Sequence, residues 1–164
     1  MKKLFLIILV ALGSLTMANR SNAQLSVSIN IGSQPAWGPT GYDYVQYYYL
    51  PDINAYYNVS TAQFIYLRKG RWMFAKRLPR QYANFNIYNS YKVVVNRTNP
   101  YLNNAADIRT YGQYKGRGNQ AMIRDAQDQK YYVNKGNRYH DQWAQQQSGG
   151  QRRPQQNNGN GRGR

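Results

Sequence analysis

The chain has 164 residues, with 22 Lys and Arg against 6 acids, a formal net charge of +16, one His and no Cys. Every acid is an Asp. Thiolate zinc sites, thiol catalysis, disulfide frameworks and iron–sulfur clusters are thereby excluded, and so few carboxylates give no basis for a calcium or magnesium cage.

Residues 1–23 read as a secretory signal peptide. Lys2 and Lys3 form a positive start, and residues 4–12 (LFLIILVAL) are an apolar run. That run is too short to cross a hydrocarbon core about 30 Å thick. Gly13 breaks it, and Ser21-Asn22-Ala23 presents small residues for cleavage before Gln24, with a cut after Ala18 as the alternative. No Cys follows, which closes the lipoprotein route. The expectation is an exported protein, periplasmic or extracellular, with no transmembrane span after cleavage.

Residues 25–31 alternate apolar and polar, the two-residue period of a strand. Residues 34–39 (QPAWGP) read as irregular linker. An aromatic-dense stretch then runs from Tyr42 to Tyr101. Within it, residues 53–60 alternate as a strand, Ser60-Thr61 turns, and residues 62–68 (AQFIYLR) form the next strand. Lys69-Gly70 is a two-residue hairpin loop and residues 71–75 (RWMFA) return. That loop sets Arg68 opposite Arg71, Leu67 opposite Trp72 and Ile65 opposite Phe74. Ile65, Leu67, Trp72 and Phe74 share one face; Phe64, Tyr66 and Met73 share the other. Two apolar faces require a cover on each side. Residues 91–96 (YKVVVN) supply a last strand.

These elements predict a mainly β fold: a small antiparallel meander of four to five strands with a disordered basic C-terminal tail. The β domain spans residues 24–101. Residues 102–143 read as a loosely structured basic segment, with Asn119 capping a short helix through Lys130. Residues 144–164, rich in Gln, Gly and Arg, bury too little to offset chain entropy and are expected to be disordered.

The run YYYLPDINAYYN (residues 47–58), the hairpin QFIYLRKGRW (residues 63–72), Leu78-Pro79 and YKVVVN resemble a family of small exported proteins of Gram-negative, Bacteroidota-type bacteria. A looser echo extends from Ile123 to Trp143. The resemblance implies export. It brings no catalytic, cofactor-binding or metal-binding residues.

The residues themselves give little support to catalysis. His140 sits in a sparse stretch, where a triad would lack rigid support. Asp52 follows Pro51 in a turn and is expected to satisfy backbone amides; Asp43 reads as exposed. Gly116 to Ala121 fits G-x-G-x-x-A, but no strand precedes it, and it reads as a Gly/Arg loop. Asp125-x-x-Asp128 lacks the Gly and terminal acid of a calcium loop. Tyr57 and Tyr66 read as core, while the Tyr47, Tyr48, Tyr49 cluster is expected to show solvent on at least one side.

Charge is the strong signal. Arg68, Lys69, Arg71, Lys76, Arg77 and Arg80 crowd the hairpin tip and its exit with no acid among them. Such a surface attracts polyanions. The expected role is non-enzymatic and without a cofactor: association with anionic envelope glycans, lipopolysaccharide or extracellular DNA through these six residues. The alternative is a structural or assembly component that docks on a protein partner through exposed tyrosines.

Overall fold

The Lys69-Gly70 loop and the two-residue period before it organise the sheet. In the computed structural model, which describes residues 29–149, five strands form: β1 (Tyr47–Leu50), β2 (Ala55–Asn58), β3 (Gln63–Arg68), β4 (Arg71–Ala75) and β5 (Val93–Val95). Their order is β4-β3-β2-β1-β5, and every neighbouring pair is antiparallel. β1 to β4 are a meander; β5 returns to the free side of β1. The hairpin register is the expected one, with Arg68 opposite Arg71, Leu67 opposite Trp72 and Ile65 opposite Phe74. Lys69 and Gly70 both have positive φ, 49° and 73°, which matches the turn to the twist of its strands. β2 starts at Ala55 rather than Ile53, because Asn54 takes a φ of 48° and closes the turn after Pro51.

Both faces of the sheet are covered around β1 and β2, while the β3–β4 hairpin leaves Leu67 and Phe74 exposed on one face and Met73 on the other, short of the cover expected for it. On the first face, Tyr49, Tyr56, Ile65 and Val95 are buried, with Tyr47, Trp72 and Val93 packed beside them. Tyr101 and Tyr111 close this face; Tyr111 ends helix α1 (Asn104–Tyr111). On the other face Val45, Tyr48 and Val59 are buried against Trp37, Tyr57 and Val94. The Trp37 ring meets Tyr48 and Tyr57 edge-on at 5.3 and 5.0 Å, geometries favoured by the ring quadrupoles. Gly38 permits that approach: a Cβ there would lie 2.6 Å from the Tyr48 hydroxyl. Tyr48 and Tyr49 are 0 % and 1 % exposed. Tyr48 and Tyr49 therefore face core on opposite sides, against the expectation of solvent on one, and Tyr47 alone of the cluster is half-buried.

A polar clamp fastens α1 to the sheet. Asp107, only 3 % exposed, accepts a hydrogen bond from the Tyr56 hydroxyl at 2.6 Å and pairs with the Arg97 guanidinium. Asn104 Nδ2 donates to Asn54 Oδ1 (2.7 Å) and to the Tyr56 oxygen (3.1 Å). Burial, and then the Asp107 bond, push the Tyr56 hydroxyl far above its usual range.

The segment after Tyr101 is packed, not loose. Ile123 and Tyr131 join Ile31 in a third buried cluster. The attachment is largely amide to backbone. Asn134 Nδ2 donates to the carbonyls of Ile31 (2.9 Å) and Gln34 (2.6 Å). Asn137 Nδ2 donates to those of Ile123 (2.7 Å) and Ala126 (2.9 Å). The expected helix from Asn119 does not form. Asn119 has a φ of 63°, and the N–H groups of Ile123 and Arg124 bond the carbonyls of Gly38 and Ala36. Only 3-10 turns remain, at Ile123–Asp125 and Gln129–Tyr131. Helix α2 (His140–Gly149) takes in the first residues of the expected disordered tail.

The signal-peptide reading, the tail from residue 150 and most of the first expected strand lie outside the described residues. Within that strand's range, Ile31 opens a 3-10 turn, Ile31–Ser33. Among the described residues no helix is long and apolar enough to cross a membrane.

Candidate functional site

β4 is an outer strand of the sheet, and the six cations are distributed along it. Arg68 and Arg71 face each other at the hairpin end, with Lys69 in the loop between them. Lys76 and Arg77 follow β4 at its far end, and Arg80 opens the 3-10 turn Arg80–Tyr82. All six are exposed. Five residues of β4 at ~3.4 Å each separate the two groups by about 17 Å. That exceeds a Debye length of about 8 Å at physiological salt. The patch is thus two triads of charge joined by an edge strand. Between them lie exposed apolar side chains: Leu67, Met73 and Phe74, the last 50 % exposed.

Among the described residues no carboxylate pairs with any of these six cations, and five of the six acids are engaged elsewhere. Asp107 holds Arg97. Asp43 pairs with Lys130 at 2.9 Å, which raises the Lys130 pKa. Asp125 binds Arg124 at 3.0 Å and also Arg138; the Arg124 bond holds its carboxyl below the usual range. Asp128 accepts from the Lys130 backbone N–H at 3.1 Å. Asp52 accepts a backbone amide, as its turn position suggested, but from distant Gly116 at 2.6 Å. Of the six cations Lys76 makes a hydrogen bond, its Nζ donating to the Thr61 carbonyl at 2.5 Å.

The other candidates resolve into local structure. His140 is held rather than mobile. Its Nδ1 donates to the Tyr132 carbonyl at 2.7 Å, which places the proton on that nitrogen, and its ring lies 5.9 Å from Trp143. The G-x-G-x-x-A stretch is a latch: Gln120 bonds the Lys92 backbone N–H (2.8 Å) and carbonyl (3.1 Å), extending the β5 edge. A Cβ on Gly118 would collide with the Asn89 carbonyl. Tyr66 is buried as expected, and Tyr57 is half-buried. Tyr42, one of the tyrosines a docking surface could use, is exposed; so is Tyr88, outside that group, and Arg124 sits over its ring at 4.8 Å.

Two charged groups escaped sequence reasoning. Asp107 is one. The other is Lys92, 2 % exposed, whose Nζ has only the Tyr88 carbonyl at 3.4 Å. Desolvation pulls its pKa down to about 8. Among the described residues no group of three His, Cys, Asp or Glu gathers to hold a metal ion. No protein-family model, curated protein or solved structure matches the chain.

Proposed function

We propose that this is an exported, non-enzymatic protein that associates with cell-envelope or extracellular polyanions through Arg68, Lys69, Arg71, Lys76, Arg77 and Arg80. The observation that carries the reading is the unneutralised exposure of all six along one sheet edge. Their division into two triads favours a long polymer over a small anion. A chain of phosphate, sulfate or carboxylate groups spans about 17 Å, and each contact releases counterions, so affinity falls as salt rises. Anionic envelope glycans, lipopolysaccharide and extracellular DNA all have this character.

The test is retention of the chain, from Gln24 onward, on immobilised dextran sulfate. Retention at low salt, lost at high salt and lost when all six residues are replaced by Ala in a variant with an unchanged circular dichroism spectrum, is the expected result. Retention indifferent to salt or to the six replacements would overturn it.

A further inference from the structure

A cleft of about 420 Å³ opens at the end of the sheet where β1 begins and β2 ends. That size falls in the range of small-molecule sites, roughly 300–1,000 Å³. Four stretches of chain wall it: Asn30 with Ser33, Tyr44 to Tyr47, Asn58 to Ser60, and Thr98. One wall is rigid. Asn30 Nδ2 donates to the Val45 carbonyl (2.7 Å) and its Oδ1 accepts from the Val45 N–H (2.9 Å), mimicking a strand partner.

The lining is unusual for this molecule. In a chain of net charge +16, no residue around the cleft is charged. Its polar atoms are amides and hydroxyls, and several have bonding capacity to spare. Asn58 uses Oδ1 for Ser60 Oγ (2.9 Å) and the Thr61 N–H (3.1 Å), which leaves its NH₂ group for a ligand. Gln46 donates to the Tyr44 hydroxyl at 3.2 Å, which leaves its Oε1 as an acceptor. Hydroxyls of Ser33 and Thr98 add groups that both donate and accept. Tyr44 and Tyr47 provide aromatic surface. Neutral donors and acceptors around aromatic rings suit a sugar ring, whose hydroxyls need both kinds of partner and whose C–H face packs on an aromatic.

The cleft also adjoins the charged edge. Ser60 lines it, and the next residue's carbonyl, that of Thr61, binds Lys76 Nζ. The triad of Lys76, Arg77 and Arg80 therefore begins at the rim. We infer that the cleft seats one uncharged, hydroxyl-rich ring of an acidic polysaccharide, while anionic groups on adjoining units meet Lys76 and Arg77. This inference rests on the polyanion reading for its charged half and selects, within that reading, an acidic glycan over nucleic acid.

Two probes of similar charge separate the cases: a mixed polysaccharide carrying both neutral and uronic-acid sugars, and single-stranded DNA. Each is titrated into the isotopically labelled chain at low and at high salt. The polysaccharide is expected to retain measurable binding at high salt, to shift the side-chain amide signals of Gln46 and Asn58, and to weaken about ten-fold in Gln46→Ala combined with Thr98→Ala, the loss of one to two hydrogen bonds. DNA binding should fall with salt and ignore those replacements. Equal behaviour of the two probes with unmoved Gln46 and Asn58 signals would overturn the cleft assignment and leave the charged edge standing. DNA shifting the same amides, by seating a base, would overturn it too. Salt-insensitive binding of both probes would instead remove the polyanion reading on which it rests.

Discussion

Lys92 is a charge that folding places at a disadvantage. Its ammonium loses water and gains one long hydrogen bond, so its pKa falls from 10.5 to about 8. Below pH 8 the amine is charged in both folded and unfolded chains, and the burial cost is present in full. Between 8 and 10.5 the unfolded chain binds the proton that the folded one has released, so stability rises with pH. The tyrosines work the other way. Burial pushes the Tyr49 hydroxyl up to about 12, so above its ordinary value of 10 the unfolded chain loses protons first and stability falls. The thermal midpoint is expected to climb from pH 8 to about 10 and to decline beyond it. In Lys92→Met the climb should vanish and the decline remain, with the variant more stable than the parent at pH 7. Neither Lys92 nor Asp107 was legible as buried in the sequence. A charged side chain reads as solvated until tertiary neighbours are known, and both neighbourhoods are assembled from distant segments. The six edge cations were legible because their density is local.

At the scale of elements, the register of the β3–β4 hairpin was readable in the sequence, although β3 begins at Gln63 rather than Ala62, whose φ of 51° leaves it in the turn. A two-residue loop fixes register by itself, and the alternating side chains do the rest. The loop carries a cost, since Lys69 sits at a φ of 49°, where residues other than Gly, Asn and Asp are disfavoured. Lys69→Asn should therefore stabilise the protein by about 0.5–1 kcal/mol in urea unfolding, while weakening polyanion binding through loss of one cation. The segment beyond Tyr101 was misread for a different reason. Its anchors are Asn134 and Asn137, polar residues whose burial follows from backbone carbonyls they reach across the fold. Hydrophobic periodicity does not report such bonds. Asn134→Ala removes two of them and leaves two buried carbonyls short of a donor, a cost of about 2 kcal/mol. Hydrogen exchange is the measurement: amides of residues 121–137 should lose protection while those of β1 to β3 keep theirs.

For the whole molecule, the distribution of charge matters more than its total. Acids are spent on Arg97, Arg124, Lys130 and Arg138, away from the β4 edge, and the edge keeps its full field. The same cations guard a short outer strand against pairing with another copy, since like charges would meet along it. A flexible polyanion meets no such penalty. The cleft beside Lys76 was invisible in the sequence, because four stretches of chain contribute to it and none carries a motif. Burial of Tyr48 and Tyr49 in two cores, rather than at a surface, removes both from any docking role; Tyr47, half-buried, keeps one side on the cleft.

The salt dependence of affinity tests this picture most directly. Binding to duplex DNA, as a polymer of known charge spacing, is measured at several salt concentrations for the parent chain and for two triple-alanine variants, one at Arg68, Lys69 and Arg71 and one at Lys76, Arg77 and Arg80. If one polymer engages both triads, log affinity should fall against log salt with a slope of about −5 in the parent, and each variant should lose about half of it. A slope near zero in the parent, or one that neither variant changes, would contradict it.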